Sequence, residues 1–206
     1  MAAVRVLASF RPLPASLMRR TASALVVGLT GPNASGKGEA AAFLRARGYA
    51  VHSLSDVVRD EAARVGRDHT RDSLIRTGRE MRAHGGPGAL ARGLLPRLVP
   101  PCVVDSVRNP GEVEVLRALP GFRLLGVAAP TEVRYERTRR RARAGDPETM
   151  DEFQEKERIE DSDDKEGQRS TATLLCADAV VQNDGTLKDF LRRIAEVVAR
   201  WEKEVA

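Results

Sequence analysis

An apolar run that ends in a glycine-rich loop constrains this chain more than any other feature. Residues 24–30 are rich in aliphatic and β-branched side chains and end at Gly31-Pro32, which favours a short, buried parallel strand. Gly31, Gly36 and Lys37 then fit the first seven positions of the pattern G-x-x-x-x-G-K-[ST]. Backbone N–H groups in such a loop converge on an anion, and the following helix adds the positive end of its dipole. The stretch therefore predicts a phosphate-binding loop.

The eighth position of the pattern departs from it. Gly38 stands where a Ser or Thr hydroxyl would bind Mg²⁺, and Glu39 follows. We expect Lys37 to be a catalytic residue that reaches the β- and γ-phosphates of ATP. The residues expected to contact the nucleotide here are Gly31, Asn33, Ser35, Gly36, Lys37, Gly38 and Glu39. The competing interpretation is a glycine-rich turn that binds nothing.

Composition limits the classes of protein to which the chain can belong. With 206 residues, 42% of them hydrophobic, it can form one core, and it has no apolar run long enough for a membrane span. The net charge of +5 is unevenly placed, because residues 1–23 contain four arginines and no acid. The rest of the chain is nearly neutral, which argues against a nucleic-acid-binding surface.

We expect a disordered extension at 1–23 and one domain at 24–206. An acid-free, arginine-bearing start is also typical of a mitochondrial transit peptide, and a misassigned start upstream of Met18 would look the same. Cys102 and Cys176 lie in apolar segments without metal-ligand spacing. They are expected to be buried thiols of a cytoplasmic protein, with organellar targeting as the alternative.

Strand patterns alternate with helix patterns along the chain. The predicted strands are 24–30, 49–52, 102–107, 122–129 and 179–182, and the predicted helices are 37–47, 53–66, 70–84, 88–98, 111–119, one capped by Thr131, and 186–203. Ser53 or Ser55 is expected to cap the second helix and Thr186 the last one. This order predicts an α/β three-layer sandwich with a five-stranded parallel sheet and helices on both faces. Ligands of such sheets bind at the carboxyl ends of the strands.

Two further groups of residues point to phosphoryl transfer. Asp105 ends an apolar strand and fits a Walker-B-like acid that holds Mg²⁺ or its waters, although it would also cap a turn. Six arginines lie between 134 and 143, and the acidic stretch 148–169 offers partners for them. The arginines are interpreted either as an arginine-rich lid over about 137–170 or as a solvated charged face.

The chain resembles the dephospho-coenzyme A kinase and nucleoside monophosphate kinase group of P-loop proteins, in particular an uncharacterised, largely archaeal dephospho-coenzyme-A-kinase-like family. The motifs that carry the resemblance span residues 25–198 and are GLTGPNASGKGEA, SDVVRDEA, REMRAHGGPGALA, VVDSVRNPGEVEVLR, RYERTRRRARAGDPETMDEF and ADAVVQNDGTLKDFLRRI. Their order and spacing are specific, whereas each later motif alone is weak. One stretch, 161–173, is far more polar than the aliphatic segment of that group.

The resemblance implies roles for individual residues. Asp56 and Arg59 would lie beside the phosphoryl acceptor, with Asp56 as a catalytic base, while Asp105 and Arg108 would also contact the acceptor. The lid arginines that would close over the transferred phosphate are Arg137, Arg141 and Arg143, the last two as catalytic residues. Asn183 and Gly185 would line the donor base. Each of these residues also has a structural interpretation, as a cap, a turn or a surface charge.

These observations predict an ATP- and Mg²⁺-dependent small-molecule kinase with a nucleotide donor and a nucleotide-like acceptor, and with no nucleic-acid or membrane partner. A hydroxyl acceptor, as in dephospho-coenzyme A, benefits from a base such as Asp56. A nucleoside monophosphate needs arginine clamps more than a base. Because both are present, the sequence does not choose between the two acceptors. The alternative function is a nucleotide-binding regulatory or partner module with little turnover.

Overall fold

A five-stranded parallel sheet forms the centre of the computed structural model, which describes residues 25–142, 146–161 and 164–205. The strands are β1 (Val26–Thr30), β2 (Ala50–Ser53), β3 (Cys102–Asp105), β4 (Phe122–Ala128) and β5 (Ala179–Gln182), and their order in the sheet is β2-β3-β1-β4-β5. All five residues of β1 are buried between β3 and β4. The predicted fold class is therefore confirmed, with the glycine-rich loop at the carboxyl end of the central strand.

Helices cover both faces of the sheet. In chain order they are α1 (Lys37–Ala46), α2 (Leu54–Arg64), α3 (Arg71–Gly85), α4 (Ala89–Leu94) with a 3₁₀ turn at Leu95–Arg97, α5 (Pro110–Arg117), α6 (Thr131–Arg141), α7 (Met150–Glu160), α8 (Ser170–Leu175) and α9 (Leu187–Val205). Because side chains alternate along a strand, Val26 of β1 joins the core beneath α2 to α5, whereas Val27 and Leu29 join the core beneath α1 and α9.

The predicted helix starts are partly right. The hydroxyl of Ser53 accepts a hydrogen bond from the N–H of Ser55 at the start of α2, and that of Thr186 accepts one from Asp189 at the start of α9. The predicted cap at Thr131 is wrong, because α6 already includes Thr131 and Pro130 occupies the capping position. The Thr131 hydroxyl instead accepts a hydrogen bond from Arg134.

Two helices were not predicted from the sequence. α7 and α8 lie in the acidic and polar stretch after residue 148, where apolar periodicity is weak. Phe153 is the buried residue of α7, and Thr173 is the buried residue of α8. A single buried position gives no repeat from which a helix can be recognised.

A buried ion pair fixes the loop that follows β3. Glu112 of α5 is fully buried and accepts two hydrogen bonds from the Arg82 guanidinium of α3, at 2.7 and 3.1 Å. Its second carboxylate oxygen accepts hydrogen bonds from the backbone N–H groups of Arg108, at 2.8 Å, and Asn109, at 3.1 Å. The Asn109 side chain in turn caps α5. Glu112 therefore holds α3, α5 and the end of β3 in one arrangement.

We expect Arg82→Leu to be strongly destabilising, because it leaves the Glu112 carboxylate buried without its cation. Breaking a buried pair in this way costs about 3 to 5 kcal/mol. In a chain of this length that loss lowers the melting temperature by on the order of 10 °C. Thermal unfolding followed by circular dichroism measures it.

The matched control for this prediction is Arg192→Leu. Arg192 pairs with Glu196 on the exposed face of α9, and such surface pairs contribute less than about 1 kcal/mol. Equal losses of melting temperature in the two variants would contradict the role given to Glu112.

Candidate active site

Two glycines let the loop between β1 and α1 turn tightly. Gly31 has a φ of +135°, and a Cβ placed on it would lie 2.1 Å from the backbone oxygen of Val127 in β4. Gly36 has a φ of +113°, and a Cβ there would lie 2.2 Å from the side-chain nitrogen of Asn183. Larger residues are excluded at both positions by conformation and by space. Packing therefore requires glycine at both positions of the motif. The absence of side chains there also lets the backbone approach a ligand.

Lys37 is folded back onto this loop. Its side chain is buried, and Nζ donates hydrogen bonds to the backbone oxygens of Gly31 and Pro32, both at 2.7 Å. Burial, and then the nearby Arg108 guanidinium, lower the pKa of Lys37 to about 7, while the Asp105 carboxylate acts in the opposite direction. A phosphate bound beside Nζ would supply the counter-charge that this environment lacks.

Three buried polar atoms near the loop have no hydrogen-bond partner within the described part of the chain. They are Oγ1 of Thr30, the Ser35 hydroxyl oxygen and Oδ1 of Asp105, whose Oδ2 accepts a hydrogen bond from the Ser106 hydroxyl at 3.2 Å. Because a buried polar atom without a partner is costly, the Asp105 oxygen, whose residue lines the cleft described below, is suited to a ligand that satisfies it. For a carboxylate oxygen next to a phosphate site, a hard divalent cation is such a ligand.

The residues at the loop are better suited to a Mg²⁺ ion that is already bound to a nucleotide than to a metal ion held by protein side chains alone. Within the described ranges, no three His, Cys, Asp or Glu residues cluster in a way that would hold a metal ion. Gly38 offers no side-chain oxygen, although a Cβ placed there would meet nothing within 4 Å. Mg²⁺ commonly binds through one or two carboxylates plus substrate phosphates. Asp105 is therefore a protein group available to such a Mg²⁺ ion, and the Glu39 carboxylate lines the same cleft.

A cleft of about 630 Å³, called the loop cleft here, gathers most of the predicted donor-site residues. Its walls include Asn33, Gly36, Lys37, Gly38, Glu39, Asp105, Arg108, Arg137, Arg141, Asn183 and Gly185. Ser35 is buried and does not line the cleft, and Gly31 lines a second cavity described below. Residues from the ends of β1, β3 and β5 thus meet at one edge of the sheet, as expected for a parallel α/β fold.

Arg137 and Asn183 brace the loop from outside. The Asn183 amide donates a hydrogen bond to the backbone oxygen of Ser35 at 2.8 Å. Arg137 donates to the backbone and side-chain oxygens of Asn183, both at 3.1 Å, and to the loop oxygens of Ala34 and Ser35 at 3.4 and 3.3 Å. The two residues therefore connect α6 and the end of β5 to the loop. The sequence motif around Asn183 gave no sign of this bracing contact.

Two arginines of α6 have acidic partners, of which Glu157 lies in the acidic stretch 148–169 that was predicted to supply them and Asp146 lies just before it. Arg141 forms two hydrogen bonds with Asp146, at 2.9 and 3.0 Å, and a longer one with the Asn33 side chain at 3.5 Å. Arg134, which was not assigned a role from the sequence, is buried and pairs with Glu157 of α7. Arg143 lies outside the described residues.

A second cavity, of about 370 Å³, adjoins the loop cleft at Asn33 and Arg108, which line both. Arg108 is half-buried, and its guanidinium donates a hydrogen bond to the Gln168 side chain at 2.7 Å. Asp56 and Arg59 line neither space. They form an exposed pair with each other, at 2.6 Å, in the first two turns of α2. That helix begins directly after Ser53, the register partner of Asp105.

The sequence has relatives among archaeal proteins. No protein-family model matches the chain. The UPF0200 protein of Pyrococcus horikoshii is 36% identical over 189 residues, a match that covers 85% of this chain and 97% of the relative. The UPF0200/UPF0201 protein of Archaeoglobus fulgidus is 34% identical over 188 residues, covering 87% of this chain, and the match spans 57% of that longer protein.

Solved structures with a similar fold include small-molecule kinases. TT1252 from Thermus thermophilus has a TM-score of 0.59 at 26% identity, covering 86% of this chain and 97% of the other. A shikimate kinase from Bacteroides thetaiotaomicron has a TM-score of 0.57 at 13% identity, with 85% and 98% covered. A gluconokinase from Sinorhizobium meliloti has a TM-score of 0.52 at 17% identity, with 89% and 96% covered. At these low identities the two kinases show a shared α/β fold and no more.

None of the helices within the described ranges has the length and apolarity that crossing a membrane requires.

The lowered pKa of Lys37 predicts that nucleotide binding takes up a proton. At about pH 8.5 the free protein holds Lys37 mostly neutral, whereas a bound phosphate favours the charged form and raises its pKa. At about pH 6, Lys37 is already charged and gains no proton. Calorimetry of Mg²⁺–nucleotide binding in buffers of different ionisation enthalpy measures the uptake at each pH.

The control for proton uptake is Lys188→Met, which removes an exposed lysine of α9 and is expected to leave the uptake unchanged. Lys37→Met should remove it. If uptake at pH 8.5 persisted in Lys37→Met, another group would be the one that titrates.

Proposed function

The chain belongs to the UPF0200 family, and we propose that it is an ATP-dependent kinase that transfers the γ-phosphate of ATP to a small, nucleotide-like acceptor. The observation that carries this proposal is the meeting of Lys37, Asp105 and Arg108 at one cleft beside the glycine-rich loop. The similarity in fold to small-molecule kinases supports it. Cys102 and Cys176 are both free thiols, which agrees with a reducing compartment such as the cytoplasm; Cys102 is buried as expected, whereas the expectation of a buried Cys176 is wrong, because that side chain is only partly buried.

Phosphoryl transfer depends on positioning and on neutralising charge more than on covalent chemistry of the protein. Backbone N–H groups of the loop would hold the phosphates, while Lys37 and Arg108 would face the negative charge that develops on the transferred group. Asp105 would hold Mg²⁺, which supplies further positive charge at the phosphates. In the transfer, the bond from the γ-phosphorus to the bridging oxygen breaks, with its electron pair staying on ADP. The acceptor oxygen forms the new bond to phosphorus.

The arginines of α6 are proposed to act as a lid. Arg141 would exchange its partner Asp146 for the transferred phosphate, and Arg143 would act beside it. Arg137 would keep the loop in place while contacting the donor, and Asn183 with Gly185 would face the donor base. A clamp of this kind contributes mainly when it closes over the reacting group.

The acceptor is proposed to bind on the Arg108 side of the loop cleft. Asp56 and Arg59 would contact it from the start of α2, which lies next to the end of β3. The resemblance to dephospho-coenzyme A kinases and nucleoside monophosphate kinases supports a nucleotide-like acceptor. It leaves open whether a hydroxyl or a phosphate receives the phosphoryl group.

The second candidate function is a nucleotide-binding regulatory module with little turnover. The observation that favours it is the Gly38-Glu39 pair, since Gly38 provides no ligand for Mg²⁺ and the Glu39 carboxylate lines the cleft where anionic phosphates would bind. Binding of ATP without transfer to any acceptor would distinguish this module from the kinase.

We expect Lys37→Ala to abolish phosphoryl transfer while the fold is retained. Loss of a charge-assisted contact to the transferred phosphate costs at least about 2 to 4 kcal/mol, which is roughly a 30- to 1,000-fold loss of turnover. Transfer from labelled ATP with Mg²⁺ is measured over a panel of nucleotides and dephospho-coenzyme A. The control is Lys188→Ala. An unchanged turnover in Lys37→Ala would exclude the proposed role of the loop.

We expect Arg141→Ala to lower kcat more than it raises the KM for ATP, because a closing clamp acts mainly in the transition state. Arg140→Ala is the matched control, since Arg140 lies on the same helix but is highly exposed and pairs with Glu136. Steady-state kinetics of both variants make the comparison. Similar kinetics in the two variants would mean that the arginines of α6 form a solvated face.

A further inference from the structure

The second cavity is lined by a different set of elements from the loop cleft. It is lined by the start of the loop, by Arg134 of α6, by the end of α7 and by residues up to Leu174 of α8. Its volume of about 370 Å³ is within the range of small-molecule sites, about 300 to 1,000 Å³. Because it shares Asn33 and Arg108 with the loop cleft, a molecule in the cavity would lie next to a phosphate in the cleft.

Four described residues of the polar stretch 161–173, which departs from the pattern of similar kinases, form one wall of this cavity. Asp161, Gln168, Ser170 and Thr171 all line it. The side chains therefore line a space where an aliphatic segment would present no hydrogen-bonding groups. Asp161 already accepts hydrogen bonds from Thr171, and Gln168 accepts one from Arg108. Carboxylate, amide and hydroxyl groups have further lone pairs and donors, which are suited to hydrogen-bond a hydroxylated molecule.

Contacts to other parts of the chain hold this wall in place. Ion pairs join Arg71 to Glu160 and Arg79 to Asp164, and both arginines belong to α3. The Asn109 side chain donates hydrogen bonds to the backbone oxygens of residues 165 and 167, at 2.9 and 3.0 Å. The backbone N–H of Arg169 donates to the backbone oxygen of Arg108 at 2.8 Å. The wall is thus fixed before any ligand binds, which favours selective recognition.

Charge distinguishes the cavity from the cleft. Among the residues that line the cavity, the charged ones are Arg108, Arg134, Arg158, Glu157, Glu160 and Asp161, so that cations and anions balance. Among those that line the loop cleft, the charged ones are Lys37, Arg108, Arg137, Arg141, Glu39 and Asp105, so that cations exceed anions by two. When Arg108 faces the transferred phosphate, the remaining lining of the cavity has one excess negative charge. A phosphate dianion would be repelled there.

The arginines of the cavity are also engaged already. Arg134 donates hydrogen bonds to Glu157, to the Thr131 hydroxyl and to the backbone oxygen of Ala129. Arg158 pairs with Glu155. Recognition of a phosphate ester by arginine requires a guanidinium with unengaged N–H groups, and the buried Arg134 has given most of its N–H groups to the protein, whereas the exposed Arg158 has given two, both to Glu155.

We propose that the second cavity seats the part of the acceptor that receives the phosphoryl group, and that this part is an uncharged, hydroxylated group such as a sugar ring. The inference rests on the proposed kinase function and adds the class of acceptor. The acceptor hydroxyl oxygen bonds to the γ-phosphorus beside Arg108, and the hydroxyl proton passes to water. Such a site selects an alcohol over the corresponding phosphate monoester.

The test compares an alcohol with its own phosphate monoester. The matched pairs are adenosine with AMP, ribose with ribose 5-phosphate, and pantetheine with phosphopantetheine, each supplied to the full chain with ATP and Mg²⁺. We expect kcat/KM for the alcohol to exceed that for the phosphate ester by at least about 10-fold in a pair that is turned over. Faster transfer to the phosphate ester would overturn the inference and leave the kinase function intact.

If no pair is turned over, the inference is tested by measuring the binding of each compound. The full chain is saturated with a non-hydrolysable ATP analogue, and the further rise in melting temperature is measured with each member of the pairs. A larger rise with an alcohol supports the inference, whereas a larger rise with a phosphate ester, or none with either, overturns it. Stabilisation by the ATP analogue alone reports separately on the loop cleft.

A charge change in the wall provides a second readout. Asp161→Asn removes one negative charge from the cavity at nearly constant shape, and we expect it to shift the ratio of alcohol to phosphate-ester turnover, or of their binding, at least about 5-fold toward the phosphate ester. Glu166→Gln is the matched control, because it makes the same charge change in the same segment at a residue that does not line the cavity. Equal ratios in the two variants would show that the wall charge does not select the acceptor.

Discussion

The close contact of the glycine-rich loop with the ends of β4 and β5 is the constraint on which the site depends. Gly31 lies against the backbone of Val127, and Gly36 lies against Asn183, so the loop has one path across the top of the sheet. That path places Lys37 under its own loop oxygens and next to Asp105 of the neighbouring strand. The positive charge of the site is therefore positioned by backbone packing, before any side chain interacts with a ligand.

A second layer of support comes from the far side of β3. The buried carboxylate of Glu112 binds the backbone at Arg108 and Asn109, and the Asn109 side chain reaches the segment that walls the second cavity. Glu112 thereby supports both Arg108, which borders the two spaces, and the wall of the second cavity. Burying this charge is tolerable because Arg82 and two backbone N–H groups satisfy it.

The fold could be read from the sequence because its signals are local. The buried strand before Gly31, the helix cap at Ser53 and the alternation of strands with helices all follow from short patterns. The bracing of the loop by Asn183 depends on residues 148 positions apart, so no local pattern contains it. Likewise, the chain gave no indication that Arg134 is buried or that the polar stretch after residue 160 encloses a cavity. These features arise from tertiary packing, which overrides local propensity.

Because Arg108 borders both spaces, ligands in the two spaces would not bind independently of each other. An anion in the loop cleft compensates the Arg108 charge that also lowers the pKa of Lys37, and it thereby changes the electrostatic field in the adjoining cavity. If an anion in the loop cleft changes the binding free energy of a ligand in the cavity, that ligand changes the binding free energy of the anion by the same amount. A single guanidinium in a shared wall thus couples the two spaces, and the cavity beside a vacant cleft would differ in affinity from the cavity beside a filled one.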